Sequence, residues 1–287
     1  MEAEKMNHEI RMFTETMRAV ETGFWKTENG EGHLEHTIEQ LMEAEVFLPG
    51  TLDDALKNVQ LTKTENRCVY DTKNIDSFAL AMEMLKENDE PVLVLNLANS
   101  VHPGGGVRRG ARAQEEDLCR KSSLLISLES PYAKPYYAYN RRLHTYMGSD
   151  GIIISPNVEI IRDCHGQLME KPVTVSVITC AAPDLRYGKE GMSEEEYINL
   201  LYNRIACIFK AAALKGCRRI VPGAFGCGAF YNDAKDVAGV FDQVLRNLKI
   251  NGFTCDELFD EIRFAVLCRR NLYNFEVFSD FFEEIKN

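Results

Sequence analysis

The sequence predicts a layered α/β fold in which a mixed sheet carries helices on both of its faces. From Arg67 onward, short apolar runs alternate with amphipathic helical patterns, as in strands that are joined by helices. The run Val92–Leu97 is apolar and nearly unbroken, which is typical of a buried central strand. Two glycine-rich stretches each follow directly on a predicted strand, so both are expected at the same edge of the sheet.

Residues 1–65 are predicted to be helical and peripheral. A first helix is indicated by apolar residues that recur on one helical face: Ile10, Phe13, Met17 and Val20. Gly23 ends this pattern, and a second helix is predicted over residues 33–44. Because no linker rich in Pro, Gly or Ser follows, this extension is expected to pack against a main domain over residues 66–287.

The main domain is predicted to alternate strands and helices along its whole length. Predicted strands cover residues 68–70, 92–97, 152–155, 173–179, 219–221 and 262–267. Predicted helices cover residues 75–86, 114–128, 194–213, 233–248 and 275–285. Residues 131–150, which are crowded with tyrosines, are predicted to form a long loop that lines a binding site or simply packs.

Composition and charge exclude several classes of protein. The net charge of −11 argues against general nucleic-acid binding, because affinity for a phosphate backbone comes largely from Lys and Arg. The first thirty residues carry acids throughout, and no apolar run reaches membrane-spanning length, so we expect an intracellular protein without membrane contact. The nine cysteines include no Cys-x-x-Cys pair, which argues against a disulfide framework and a zinc site.

A glycine triplet, Gly104-Gly105-Gly106, lies between the predicted strand Val92–Leu97 and a helix that begins at Gln114. Glycine has no Cβ, so the backbone can take positive φ and a ligand can lie against its amides. The two residues after Gln114 are glutamates in the first helical turn. A Walker loop would need Lys-Ser or Lys-Thr after its last glycine, and the dinucleotide fingerprint would need glycine at Arg109, so neither pattern fits.

This arrangement resembles the signature of the poly(ADP-ribose) glycohydrolases, specifically the compact microbial type that is built on a macrodomain. The glycine triplet is followed by seven residues, 107–113, and then by Gln114-Glu115-Glu116. The stretch GAFGCGAF at residues 223–230 resembles the diphosphate loop of the family, which ends in an aromatic residue that orients the terminal ribose. Asn99 matches a ribose-contacting position of the family.

The resemblance implies a macrodomain-like three-layer α/β/α domain that acts as an exo-type hydrolase of ribose–ribose glycosidic bonds. The implied substrate is poly(ADP-ribose) or an ADP-ribosylated protein, the product is ADP-ribose, and neither cofactor nor metal is needed. Glu116 is implied to protonate the leaving oxygen and then to activate water. Glu115 would hold the ribose hydroxyls, and the closeness of the two carboxyls to each other and to substrate phosphate would raise a carboxyl pKa.

A set of substrate-binding residues is implied as well. They are Asn99, Gly104, Gly105, Gly106, Val107, Gln114, Gly226, Cys227, Gly228, Ala229, Phe230 and Asp71. Asp71 resembles the adenine-contacting acid of macrodomains, although an Asp at a strand end is also common in turns. Cys227 could alternatively be a nucleophile or a packing residue, Phe230 could be a core aromatic, and Asp233 is expected to cap a helix.

Other interpretations stay open. A basic cluster near the signature could offset substrate phosphates or form a solvated face: Arg108, Arg109, Arg112, Arg120 and Lys121. Arg108 and Arg109 stand where the family often has a small residue, which bears on whether longer chains or protein-bound ADP-ribose fit. Rival functions are a mono-ADP-ribosyl hydrolase, a non-catalytic ADP-ribose reader and another nucleotide-binding α/β enzyme. The two glutamates argue against the reader, since a reader needs no acid.

Overall fold

The structure, a computed structural model, describes residues 7–283. Its strands are β1 Phe24–Lys26, β2 Glu31–His33, β3 Glu45–Phe47, β4 Val69–Lys73, β5 Val92–Leu97, β6 Ile152–Arg162, β7 Leu168–Cys180, β8 Arg219–Val221, β9 Lys249–Ile250, β10 Phe253–Thr254 and β11 Glu261–Ala265. Its α-helices are α1 His8–Thr22, α2 Ile38–Leu41, α3 Thr51–Leu56, α4 Ser77–Glu87, α5 Gln114–Lys121, α6 Leu124–Leu128, α7 Lys134–Leu143, α8 Glu194–Leu214, α9 Ala234–Asn247, α10 Cys255–Leu258 and α11 Tyr273–Glu283.

Seven strands form one mixed sheet in the order β3-β6-β7-β5-β8-β11-β4. β5 pairs in parallel with β7 and β8, and β11 pairs in parallel with β8 and β4. β6 runs antiparallel to both β7 and β3. The carboxyl ends of β4, β5, β7, β8 and β11 therefore lie at one edge of the sheet, as predicted.

Helices cover both faces of the sheet, which confirms the predicted three layers. Leu93 and Leu95 of β5 pack on one face, in a core that includes side chains of α3, α8, α9 and α11. Val92 and Val94 point to the opposite face, where they pack with α1, α4, α5, α6 and α7. Each of these four side chains is at most 1% exposed. Burial on both faces explains why β5 is a nearly continuous apolar run.

The N-terminal segment contains the predicted first helix but also contributes to the sheet. α1 ends at Gly23, whose φ of +69° is the left-handed conformation that favours glycine. The hydroxyl of Thr16 donates to the carbonyl of Arg120 at 2.6 Å, which fastens α1 to α5. β3 joins the sheet beside β6. The prediction that the extension is helical throughout is therefore wrong. The domain boundary at residue 66 stays a prediction.

The second predicted helix, over residues 33–44, is wrong apart from the four residues of α2. The backbone N–H groups of Glu35 and His36 donate to the carboxylate of Glu159 at 3.0 and 2.7 Å. Glu159 lies in β6 and is completely buried. Because these bonds hold residues 35 and 36 in a bend, the helix cannot start before Thr37, which caps α2 through its side chain.

The predicted helix over residues 114–128 begins at Gln114 as expected but divides into α5 and α6. Ser122 is extended and forms an isolated antiparallel bridge with Ile160 of β6. The N–H of Ser123 donates to the carbonyl of Glu159 at 3.0 Å, and its hydroxyl accepts the Glu159 N–H at 2.9 Å. These bonds to β6 replace helical ones, and the apolar spacing alone could not indicate them.

The loop predicted over residues 131–150 is wrong, because it contains α7. Tyr136 and Tyr137 are 0% and 2% exposed and pack in the core under β6 and β7, whereas Tyr132 is exposed. Their burial stabilises a helix in a stretch that has few other helix signals.

Most other elements are found near their predicted bounds. β6 and β7 extend well beyond residues 152–155 and 173–179, because the pairing continues past Pro156 through an irregular register between Ser155 and Val158. The final predicted helix corresponds to α11, and residues 284 and 285 lie outside the described residues. Within residues 7–283, no helix combines the length and apolar character needed to cross a membrane.

We predict that Glu159→Gln lowers the free energy of unfolding by about 1–3 kcal/mol. The Glu159 carboxylate accepts the N–H groups of Glu35 and His36 and also lies 2.8 Å from His36 Nδ1. An amide would turn an N–H donor toward these donors. Urea unfolding measures the change, and Glu170→Gln, an exposed charge change on β7, should stay within about 0.5 kcal/mol of wild type. Equal unfolding midpoints for the two variants would contradict this role of Glu159.

Candidate active site

A cavity of about 680 Å³ opens at the edge where the parallel strands end. This volume lies within the range of about 300–1,000 Å³ that is usual for small-molecule sites. Residues that follow five strands line it: Ile75, Asp76 and Ser77 after β4, Asn99 after β5, Ala182 after β7, Gly226, Gly228, Ala229 and Phe230 after β8, and residues 266–269 after β11. The first turn of α5, the start of α1 and the turn between β6 and β7 also line the cavity.

Gln114 fixes the first turn of α5 against the end of β5. Its Oε1 accepts the N–H of Leu97 at 2.9 Å, and its Nε2 donates to the carbonyl of Leu95 at 2.7 Å and to the hydroxyl of Ser77 at 3.0 Å. Both Nε2 hydrogens are therefore used within the protein. Gln114 lines the cavity, as predicted for a substrate-binding residue, but its amide group holds the helix in place.

Glu115 is a buried carboxyl that is tied to the segment after β5. It is 3% exposed, its Oε2 accepts the N–H of Asn99 at 2.7 Å, and Asn96 Nδ2 lies 3.4 Å from Oε1. Burial raises the pKa of Glu115 from 4.5 to about 8, the Asn99 N–H opposes this rise, and the neighbouring charge of Glu116 adds to it. A pKa rise of this size corresponds to several kcal/mol of free energy in favour of the protonated carboxyl. The N-terminus of a helix favours the ionised form by only about 0.3–2 kcal/mol. Glu115 is therefore largely protonated near neutral pH.

Glu116 is the second buried carboxyl and is tied to the glycine loop. It is 8% exposed, and its Oε1 accepts the N–H of Gly106 at 2.8 Å. Its Oε2 is buried and has no hydrogen-bond partner among residues 7–283. One oxygen of Glu116 thus positions the side chain, and the other is left for a group that enters the cavity.

The glycine loop makes room for these two carboxylates. Gly104 and Gly105 have φ of +65° and +57°. A Cβ on Gly105 would lie 2.4 Å from Glu116 Oε1 and 3.0 Å from Glu115 Oε2, so only glycine fits. The sequence predicted that the missing side chains admit a ligand, whereas the structure shows the acidic side chains in that space.

The second glycine loop is held by Asn232. Its Nδ2 donates to the carbonyls of Pro183 at 2.8 Å and Gly226 at 3.0 Å. Gly226 has a φ of +74°, and a Cβ there would lie 2.5 Å from the Cβ of Ala182. A Cβ on Gly228 would meet nothing within 4 Å, so the loop presents bare backbone to the cavity at this point. Asp233 caps α9 by accepting the N–H of Lys235 at 2.8 Å, as predicted.

The structure brings most of the predicted site residues together. Those that line the cavity are Asn99, Gln114, Glu115, Glu116, Gly226, Gly228, Ala229 and Phe230. The described residues along its wall do not include Gly104, Gly105, Gly106, Val107, Cys227 or Asp71. Their direct contact with a ligand stays a prediction.

Three of these outlying residues have clear structural surroundings. Val107 is 1% exposed and packs in the core with α5 and α6. Cys227 packs against the opposite core, and burial raises the pKa of its thiol far above the ordinary value, which favours the packing interpretation over the nucleophile. Asp71 lies inside β4 rather than at a strand end, and its carboxylate accepts the N–H of Thr72 at 2.9 Å.

The predicted basic cluster is mostly paired with carboxylates of the protein. Lys121 Nζ lies 2.8 Å from Asp117 and 3.4 Å from Asp76, Arg108 lies 2.8 Å from Glu129, and Arg112 pairs with Glu9 of α1. Lys121, Arg108 and Arg112 are therefore held in ion pairs within the protein.

Sequence reasoning missed the part of the wall that follows β11. Leu267, Cys268, Arg269 and Asn274 line the cavity there, and no glycine pattern marks them. Only the topology of the sheet could have indicated them, because the carboxyl end of β11 lies at the same edge of the sheet as those of β5 and β8. Within residues 7–283, no three His, Cys, Asp or Glu side chains are grouped to hold a metal ion.

The fold and site can be compared with known proteins. Residues 14–163, which include the glycine triplet and the two glutamates, match the family model of the microbial-type poly(ADP-ribose) glycohydrolase (PARG) catalytic domain. A comparison with curated protein sequences finds no match.

Solved structures of bacterial poly(ADP-ribose) glycohydrolases are similar over nearly the whole chain. The enzyme from Thermomonospora curvata is 30% identical with a TM-score of 0.87, over 96% of this chain and 99% of that chain. A structure of it bound to the inhibitor ADP-HPD gives a TM-score of 0.85. The enzyme from Deinococcus radiodurans in complex with ADP-ribose is 33% identical with a TM-score of 0.77, over 88% and 99% of the two chains. The chain therefore belongs to the microbial-type poly(ADP-ribose) glycohydrolase family.

Proposed function

We propose that this chain removes ADP-ribose from the end of poly(ADP-ribose) by hydrolysing ribose–ribose glycosidic bonds. The observation that carries the proposal is the buried pair Glu115 and Glu116, which lies against the glycine loop and lines a cavity of about 680 Å³. Related enzymes from Thermomonospora curvata and Deinococcus radiodurans bind ADP-HPD and ADP-ribose. These ligands support ADP-ribose as the group that the cavity of this chain accepts.

Glu116 is the group proposed to carry the proton transfer. Its unpaired Oε2 costs free energy in the buried site, and a hydrogen bond with the glycosidic oxygen would offset this cost. Glu116 would protonate that oxygen as the bond to the anomeric carbon breaks, and would then take a proton from the water that attacks the same carbon. The acid is regenerated, and the products are ADP-ribose and a chain that is shorter by one unit.

Glu115 is proposed to bind the ribose and to stay protonated itself. Because burial raises its pKa to about 8, Glu115 can act as a hydrogen-bond donor to a ribose hydroxyl near neutral pH. A neutral Glu115 also places no negative charge of its own near the substrate diphosphate. Phe230 would pack on the terminal ribose, while the bare backbone around Gly228 would lie along the diphosphate.

We predict that Glu116→Gln slows ADP-ribose release from poly(ADP-ribosyl)ated protein by on the order of a hundredfold or more. Glutamine keeps the shape and can still accept the Gly106 N–H, but it cannot donate a proton as an acid. Affinity for ADP-ribose should change little, and titration calorimetry measures it.

The matched control is Glu129→Gln, which removes the same charge from an exposed pair with Arg108 and should keep wild-type activity. A Glu116→Gln rate close to that of the control would contradict the proposed role of Glu116.

We predict that the stability advantage of Glu115→Gln over wild type grows between about pH 5 and pH 8. The pKa of Glu115 is higher in the folded protein than in the unfolded chain, so the folded state binds the proton more tightly. This stabilisation is complete below about pH 4.5 and is lost as pH rises toward 8, with a slope of at most about 1.4 kcal/mol per pH unit. Urea unfolding of both proteins across this range measures the difference, and a difference independent of pH would show that Glu115 is not a buried neutral acid.

We predict that Gly105→Ala abolishes most of the activity, because the new methyl group would displace both carboxylates. The control is Gly50→Ala, since Gly50 also has a positive φ of +86° but has open space around its Cβ position. Both variants should lose about 1 kcal/mol of stability from backbone strain, and only Gly105→Ala should lose turnover. Equal activities in the two variants would rule out the steric argument.

A further inference from the structure

A row of π groups leads from the cavity wall at Phe230 to the protein surface. The guanidinium of Arg186 lies 5.5 Å from the ring centroid of Phe230 and 6.0 Å from that of Tyr187. The ring of Tyr187 lies 4.4 Å from that of Tyr146, tilted by 34°. Phe230 lines the cavity, so this row, Phe230-Arg186-Tyr187-Tyr146, continues the cavity outward.

The outer rings of the row are exposed. Tyr187 is 67% exposed and Tyr146 is 51% exposed. Core packing therefore does not explain them, and two adjoining exposed aromatic rings beside a ligand cavity are typical of a binding surface. We call Tyr146 and Tyr187 the outer aromatic pair.

The polar groups around the outer aromatic pair hold it in place. The Arg186 Nε donates to Asp184 Oδ1 at 2.8 Å, and its Nη2 donates to Asp184 Oδ2. Glu190 accepts the N–H of Tyr146 at 2.7 Å and thereby joins the two loops that carry the rings. Glu190 also has a φ of +50°, an uncommon conformation for a residue other than glycine. These hydrogen bonds thus hold the two loops that carry the outer aromatic pair.

The charge of this surface favours a flat aromatic group over a phosphate. Asp184 engages Arg186 through both of its carboxylate oxygens, so the positive charge of the guanidinium is already compensated. What remains is ring surface, and bases stack on tyrosine rings regardless of their sequence.

We infer that the outer aromatic pair binds the adenine of the ADP-ribose unit that precedes the bond to be cleaved. This inference rests on the proposed function. The oxygen that leaves is a hydroxyl of the ribose of that preceding adenosine, and its adenine is attached to the neighbouring carbon of the same ring. With the terminal ribose beside Phe230, this adenine leaves the cavity close to the point where the row of π groups reaches the surface.

The test compares wild type with Tyr187→Ala and Tyr146→Ala on two ligands. The first is poly(ADP-ribose), which has a preceding adenine, and the readout is kcat/KM for ADP-ribose release. The second is free ADP-ribose, which has none, and the readout is its Kd. Each alanine variant should lower kcat/KM on the order of tenfold and change the Kd for ADP-ribose by less than about twofold, and Tyr187→Trp should restore kcat/KM because it retains a stacking surface.

Tyr132→Ala is the matched control, because Tyr132 is 59% exposed and belongs to no ring contact among the described residues; it should behave as wild type. Unchanged kcat/KM in both variants of the pair would overturn the inference. Equal losses of kcat/KM and ADP-ribose affinity would overturn it too, since they would indicate a structural role. A change of sedimentation in Tyr187→Ala without a loss of kcat/KM would instead identify a contact between copies of the chain. Failure of wild type itself to release ADP-ribose would refute the proposed function, which is a separate result.

Discussion

The anchoring of Gln114 to the end of β5 is the constraint on which the site depends. Its amide bonds the backbone of Leu95 and Leu97, which sets where α5 begins relative to the central strand. From that position the next two side chains reach backbone donors, the N–H of Asn99 for Glu115 and that of Gly106 for Glu116. The glycine loop follows from the same constraint, because the carboxylates occupy the volume that a side chain at Gly105 would need. The residues of the signature therefore depend on one another: Gln114 positions the helix, and the missing side chain of Gly105 leaves the space that the two glutamates occupy.

The electrostatics of the site explain how an acidic protein can accept a polyanion. The net charge is −11, and the cations near the signature are largely paired with Asp and Glu of the protein itself. The cavity instead offers a Glu115 that is neutral near pH 7, backbone at the second glycine loop, and aromatic surface at Phe230 and beyond. Recognition through hydrogen bonds and ring contacts depends little on long-range electrostatic attraction between the protein and the polymer. It also limits the contact to the terminal units, which is consistent with removal of ADP-ribose from a chain end.

The sequence predicted those parts of the structure that local patterns determine. β5, the start of α5, both glycine loops and the three layers follow from apolar runs, glycine positions and the alternation of elements. The break at Ser122, the bend at residues 35 and 36, and the membership of β3 in the sheet depend on hydrogen bonds to β6, which is distant in sequence. α7 was missed because burial of Tyr136 and Tyr137, rather than helix propensity, holds it. In the site, residue identities were recognised but two orientations were not, since Gln114 faces β5 and Val107 faces the core. Burial raises the pKa of Glu115.

The most direct test of this account is the identity of the product that forms first from purified poly(ADP-ribose). Mass spectrometry of samples quenched at early times would separate ADP-ribose from longer oligomers and from adenosine phosphates. We predict that ADP-ribose appears from the first time points and that the chains shorten from their ends. Accumulation of oligomers before ADP-ribose would contradict cleavage at the terminal unit. Release of adenosine phosphates, or binding of the polymer with no release at all, would contradict glycosidic hydrolysis by the Glu115 and Glu116 pair.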